Sequence, residues 1–415
     1  MGQSLDIEAR DGAAQESCSS PRVLFLSRNY PSSALPYLGL WVEGLAIHAG
    51  SNRDRKVVAP VPYCPNLPFL SENYLRYRRV PKVEYRNGIE IHHPRILVPP
   101  GTRARSLEGS LYLAGVEKEI DRLFHEFGFD IIHAHFTYPD GWVAAQIAKK
   151  YDVPMIITEH ASWKAWANHS PVVFKQACTA LDVAQYHVSV GTALREELEV
   201  YASNPDKLKV IPCGVDGNIF HLPTRDSAKH KNQILFVGAV RHVKGVDVLI
   251  RALNSLAEQN RQTELLIVGD AYYSAYAQTQ SDLERLAENL GVSHQIKFLP
   301  GRDPPEIAQL MRESALLVLP SRRETLGMVL VEALSCGTPV VATRCGGPQD
   351  IVEEGSGILT PVEDHDALAE AIAFVLDNPS RYAPEQLRET ALAKFSGSIV
   401  ASQYQELYRQ AVGLP

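Results

Sequence analysis

The chain has 415 residues, 45% hydrophobic and 21% charged, a globular composition in a chain too long for one ordinary core. Its net charge of −7 argues against general nucleic-acid binding, which needs a strongly basic face. No apolar run approaches the roughly 20 residues that cross a bilayer.

Residues 1–20 are polar, with Asp6, Glu8, Asp11 and Glu16, and read as a disordered tail rather than a secretory leader. Asp6 stands where a myristoylation signal has Ser or Thr. The six cysteines (Cys18, Cys64, Cys178, Cys213, Cys336 and Cys345) are scattered without a C-x-x-C pair, which suggests reduced thiols and a cytoplasmic location.

From residue 21 onward, short apolar strands alternate with amphipathic helical stretches. Strands are expected at 23–27, 57–59, 89–92, 131–134, 155–158, 187–189 and 209–211, with helices at 40–49, 111–127 and 142–151. A polar stretch at 222–232 has linker character. A second series follows, with strands at 234–237, 265–268, 296–299, 316–319 and 340–342 and helices near 245–257, 280–290, 304–313 and 327–335. Such alternation builds parallel sheets with helices on both faces. The expected fold class is α/β, with two doubly wound Rossmann-like domains facing a cleft and ligands at the strand carboxyl ends. Their expected bounds are 21–222 and 233–395.

Charge is uneven along the chain. Residues 1–222 hold 23 Lys/Arg against 24 Asp/Glu, and the remainder 18 against 24. Within the neutral half, residues 71–105 carry eight Lys/Arg against three Asp/Glu, interleaved with Tyr74, Tyr77 and Tyr85. Two readings stay open there: a surface that docks on anionic lipid headgroups, or a solvated edge with internal ion pairs.

The most informative stretch is 315–352. An apolar strand leads into a polar turn, a helix opening at Leu326-Gly327 and ending at Gly337, and a second apolar strand. Glu324 lies in the loop and Glu332 within the helix. Free N–H groups at such a helix start bind anions, and carboxylates beside a phosphate site can grip sugar and ribose hydroxyls. Glu332, inside an apolar helix, needs a hydroxyl or cationic partner. A second strand–glycine–helix turn runs from Phe236 to Gly245. There Lys244 stands at a helix start, a position unfavourable for a cation unless an anion joins it.

Glu324-x7-Glu332, Gly337-Thr338-Pro339-Val340-Val341 and the Gly346-Gly347 pair resemble the retaining glycosyltransferases of family 4, which have the GT-B fold. The first-half segments look like those of enzymes that build exopolysaccharide or other envelope glycans. The resemblance implies a metal-independent hexosyltransferase moving a sugar from a nucleotide-diphosphate sugar, UDP- or GDP-linked, to a glycan or lipid-linked acceptor. It also implies a last helix, within 396–415, that crosses back to the first domain.

By the same resemblance, Gly39, Arg241, Lys244, Gly327, Met328 and Val329 bind the donor phosphates. Glu324, Thr325 and Leu326 contact the transferred sugar, and Glu332 holds the ribose. His160 and Glu324 are the catalytic candidates, with His160 near the reacting carbon. Arg302 stands where the family holds the base, and His135 and Asp140 where the acceptor pocket is expected; a core or helix-capping role fits these two equally. Two departures stand out. The arginine usual directly after the glycine is Ala239 here, with Arg241 two residues on, and the usual aromatic before the loop glycine is Leu326.

No metal or other cofactor is expected, and departure of the diphosphate would rest on preorganised positive charge. The chain lacks G-x-G-x-x-G and a Walker A loop, which gives nicotinamide and P-loop chemistry little support. Two other readings fit the same residues: a sugar-nucleotide epimerase of this fold, and a sugar-nucleotide-binding scaffold.

Overall fold

The computed structural model describes residues 20–50, 54–65, 72–98, 106–163, 170–223, 230–269 and 280–414. Nearly all of the expected tail, residue 71 and residues 99–105 of the basic stretch, and residues 224–229 of the linker lie outside them.

Among the described residues, the first half supplies ten strands: β1 (Val23–Leu26), β2 (Arg55–Val58), β3 (Val61–Pro62), β4 (Val83–Arg86), β5 (Ile89–His92), β6 (Arg95–Ile96), β7 (Ile131–His135), β8 (Met155–Glu159), β9 (Tyr186–Ser189) and β10 (Leu208–Val210). Eight of them form one sheet in the order β10-β9-β8-β7-β1-β2-β5-β4, parallel except for β4. The small pair β3–β6 stands beside it. Strands β1, β7 and β8 are buried at every position, as parallel strands covered on both faces must be.

Strand β4 was not expected. Its burial alternates between exposed and half-buried, the mark of an edge strand with little apolar signal. It turns into β5 through Asn87-Gly88, both at positive φ (50° and 77°), the geometry of a two-residue hairpin turn.

The second half supplies β11 (His230–Val237), β12 (Glu264–Val268), β13 (Ile296–Leu299), β14 (Ser314–Leu319), β15 (Val340–Thr343) and β16 (Gly357–Thr360). They form an all-parallel sheet in the order β13-β12-β11-β14-β15-β16. Numbered from its own first strand, this is the 3-2-1-4-5-6 order of the doubly wound dinucleotide fold. Both units are therefore Rossmann-like.

Each sheet reverses direction of travel once near its middle, between β1 and β7 in the first and between β11 and β14 in the second. Loops leaving the carboxyl ends of those strands diverge to opposite faces and open a crevice, the usual ligand position in such sheets.

The last helix, Gly397–Ala411, follows the helix Pro384–Phe395 and lies on the first unit. Its Val400, Ala401, Tyr404, Leu407 and Tyr408 share a core with Val42, Leu45 and Ala46 of the helix Leu40–His48. The crossing is pinned where Val215 N donates to Phe395 O (2.7 Å). Arg388 gathers three carbonyls, donating to Phe220 O, Ser335 O and Gly217 O at 2.6–3.0 Å. No described helix is long and apolar enough to cross a membrane.

Candidate active site at two facing switch points

Lys244 and Glu324 are 80 residues apart in sequence and meet in space. Lys244 ends a short 3-10 turn, His242–Lys244, after β11, and Glu324 lies in the loop after β14. Because β11 and β14 are neighbours at the reversal of strand order, their following loops flank one crevice, and across its base Lys244 Nζ reaches Glu324 Oε1 at 2.6 Å. Ser321 Oγ donates to the same oxygen at 2.7 Å, while Oε2 has no partner among the described residues. The Glu324 backbone is fixed as well, its N donating to Cys345 O and its O accepting from Gly347 N.

Two glycines set the loop shapes. Gly245, at φ 66°, lets the chain turn from the 3-10 segment into the helix Val246–Glu258, and a Cβ there would stand 2.0 Å from Pro320 O. Gly327, at φ 95°, precedes the helix Met328–Ser335. Met328 N and Val329 N open that helix without an acceptor among the described residues, so they present the donors an anion would use.

Arg322, absent from the sequence reading, holds the two loops together. Its guanidinium takes both Asp247 oxygens at 2.8 and 2.9 Å, also pairs with Glu363, and donates to His242 O. Its own N–H donates to Val243 O. The sequence signal was only an arginine in a loop two residues before Glu324.

Glu332 is half-buried in the apolar helix, and no described residue hydrogen-bonds its carboxyl group. Burial pushes its pKa up to about 7. A group in this state gains from hydroxyl donors that would stabilise its charged form.

Arg241 caps the 3-10 turn from an exposed position, and its side chain pairs with no described residue. Arg302 is exposed and pairs with Glu306 at 3.3 Å, next to the capping box that Asp303 and Glu306 form at the start of the helix Pro304–Glu313. Leu326 is buried.

The first unit offers a third helix start. Gly39, at φ 75°, precedes the helix Leu40–His48, and a Cβ on it would lie 1.9 Å from Asn29 O. Only glycine fits there, and Leu40 N and Trp41 N are left without acceptors among the described residues.

His160 follows β8, and its ring is held on two sides: Nε2 lies 3.0 Å from His135 Nδ1, and Nδ1 lies 3.7 Å from Cys213 Sγ. Burial lowers its pKa to about 3, so the ring is neutral. Its carbonyl accepts from Thr325 Oγ1 at 2.8 Å, a contact between the two units. Thr192 N donates across the same junction to Asp350 Oδ2 at 2.7 Å.

Asp140 differs from the helix cap that the sequence suggests. The cap of the helix Trp142–Tyr151 is Gly141, with no side-chain bond. Asp140 is buried and accepts from Arg28 N (2.7 Å) and Tyr112 OH (2.8 Å), so it ties the loop after β1 to the helix Glu108–Glu126. Burial raises its pKa to about 6. His135 is likewise buried, inside the first unit.

Glycine-led helix starts and a cation–carboxylate pair thus gather at the switch points of two Rossmann-like units, an arrangement suited to an anionic ligand. The families "Glycosyltransferase Family 4" and "Glycosyl transferases group 1" match residues 55–218 and 222–393. D-inositol 3-phosphate glycosyltransferase 1 of Catenulispora acidiphila is 31% identical over 358 residues, 81% of this chain and 84% of that protein. An uncharacterized glycosyltransferase of Methanocaldococcus jannaschii is 29% identical, over 87% of this chain and 89% of its own. Among solved structures, sucrose-phosphate synthase of Thermosynechococcus elongatus superposes with a TM-score of 0.77 at 21% identity, over 95% of this chain and 100% of that one. Anabaena HepE in complex with UDP-glucose gives 0.71 at 22% identity, over 94% and 99%. The chain belongs to family 4 of the glycosyltransferases.

Proposed function

We propose that this glycosyltransferase takes a hexose from a UDP- or GDP-linked sugar and passes it, with retention of anomeric configuration and without a metal, to a glycan or lipid-linked acceptor. The observation that carries the reading is the Lys244–Glu324 pair at 2.6 Å beside the open helix start at Met328. One ammonium is then shared between a carboxylate and the place a diphosphate would occupy. The UDP-glucose in HepE supports a nucleotide-linked donor. The name of the Catenulispora relative adds a second acceptor class, a phosphorylated polyol.

In this reading Lys244 and the N–H groups of Met328 and Val329 receive the negative charge that grows on the departing diphosphate. Preorganised donors of this kind are the largest single contribution in many enzymes. Glu332 accepts from the ribose hydroxyls, and Glu324 Oε2 from a sugar hydroxyl. The bond from the anomeric carbon to the phosphate oxygen breaks, a bond to the acceptor oxygen forms on the same face, and the acceptor proton leaves on the phosphate oxygen. No covalent nucleophile is required. NMR of the product decides the stereochemistry: the donor's own anomer supports the proposal and the opposite anomer overturns it.

A peripheral membrane position belongs to the same proposal, with exposed Arg79, Lys82 and Tyr85 of the 71–105 stretch facing anionic headgroups. Equal recovery with neutral and anionic vesicles in flotation would remove it.

A further inference from the structure

His133, His135 and His160 form a column of stacked imidazoles, with ring centroids 4.4 Å apart for the first pair and 5.3 Å for the second. His133 and His135 are both on β7, two residues apart, so they share one face of the sheet. The far end of the column is clamped by the last helix. Tyr408 OH lies 2.7 Å from His133 Nδ1, and Thr158 Oγ1 lies 2.8 Å from His133 Nε2 and 2.9 Å from Tyr404 OH. Burial keeps all three rings neutral.

In the middle of this column, His135 makes one hydrogen bond. Its Nδ1 faces Nε2 of His160 at 3.0 Å, and its own Nε2 is buried with no partner among the described residues. A neutral imidazole carries one proton, so the bond between the rings has two arrangements. If His160 donated, His135 would carry its proton on Nε2 and bury an unpaired N–H. If His135 donates from Nδ1, its Nε2 buries only an unused lone pair. Buried donors without acceptors are the costlier and rarer case. The second arrangement leaves the His160 proton on Nδ1, where Cys213 Sγ, a weak acceptor, is the described partner at 3.7 Å.

We propose that His135 is a positioning residue, whose Nδ1–H fixes the His160 ring in place and in its Nδ1–H tautomer, so that the Nδ1 edge of His160, where the weak acceptor Cys213 Sγ is the described neighbour, offers a proton rather than a lone pair. The inference rests on the reading that His160 lies against the transferred sugar, where a hydroxyl oxygen would accept that proton.

The test uses the full chain labelled with 15N-histidine, the His160 signal being identified by its loss in His160→Gln. The wild type is expected to show His160 protonated on Nδ1 and bare on Nε2. His135→Phe keeps a stacked ring but removes the donor. It is expected to lose that single tautomer and to lower kcat by about 10- to 100-fold, the scale of a misplaced group, with nucleoside diphosphate affinity nearly unchanged. His135→Asn, whose amide N–H lies close to the Nδ1–H position, is expected to restore most of the rate.

A wild-type His160 protonated on Nε2 overturns the inference, and so does His135→Phe with full kcat. Should His135→Phe fail to fold, the wild-type spectrum still decides. A wild type that binds no nucleotide-sugar would defeat the proposed function while leaving the tautomer assignment to stand or fall by its own spectrum.

Discussion

Lys244 Nζ lies 2.6 Å from Glu324 Oε1, joining the loop after β11 to the loop after β14. The pairing places a cation where the sheet order reverses, and it makes the carboxylate a competitor for any anionic ligand of that cation.

The two members of the pair should therefore respond in opposite directions. Lys244→Ala removes a charge-assisted hydrogen bond to phosphate, worth about 1.5–3 kcal/mol, and should weaken nucleoside diphosphate binding by about 10- to 100-fold. Glu324→Gln frees the ammonium and should bind the diphosphate as well as or better than the wild type, while sugar transfer falls by at least about 100-fold. Calorimetry and a transfer assay on both variants check this. Weakened binding in both would mean the pair acts only as a structural link.

Glu332 sets a proton linkage. Burial holds its pKa at about 7 before ligand binds, and ribose hydroxyls donating to it would favour the charged form. Binding of a nucleotide-sugar near pH 6.5 should then release a proton, read as a dependence of binding enthalpy on buffer ionisation, and Glu332→Gln should abolish the release. The same raised pKa lowers stability as pH climbs from about 4.5 to 7, because the folded state holds the proton that the unfolded state gives up. Glu332→Gln should remove that slope.

Four buried histidines act in the opposite sense. His133, His135, His160 and His187 are all held below the ordinary histidine range by burial. Unfolded histidines titrate near 6.5, so their contribution to stability is complete above that pH and is lost as pH falls toward the folded-state values. Melting temperature should drop below about pH 6, because four histidines outnumber the two raised carboxyls, Glu332 and Asp140, that act the other way. A flat profile between pH 5 and 7 would contradict their burial as neutral rings.

Gly39 and Gly245 should resist replacement for a steric reason. Each has positive φ, and a Cβ would fall 1.9 Å from Asn29 O or 2.0 Å from Pro320 O. Gly245→Ala should cost about 1–3 kcal/mol in chemical denaturation and lower donor affinity by displacing Lys244. A substitution at exposed Gly291, which shares the positive φ (74°) but has open space around it, should leave affinity unchanged.

Much of this fold was legible because buried parallel strands read as uninterrupted apolar runs, as in Leu316–Leu319 within β14. Edge strand β4 was not, since its residues are exposed or half-buried and two of the four, Glu84 and Arg86, are charged; the Asn87-Gly88 turn was the available signal. Motif spacing pointed to Glu324 and Glu332, yet it could not show Lys244 resting on Glu324, because that contact depends on strand order rather than on sequence distance. The same holds for Arg322 and Asp247, and for His135 and His160. Asp140 carried a helix-cap signal and serves instead to hold Arg28 and Tyr112, partners that only the packed sheet brings near.

The most direct test is the binding of UDP-, GDP-, ADP- and TDP-sugars, with the free diphosphates, to the wild type and to the Lys244→Ala and Glu332→Ala variants by thermal shift. A ligand at 100 times its dissociation constant should stabilise the fold by about 2.7 kcal/mol. The account predicts one clear donor whose shift is weakened in both variants. Equal shifts in all three proteins would place the nucleotide elsewhere, and no shift with any ligand would contradict a nucleotide-sugar site altogether.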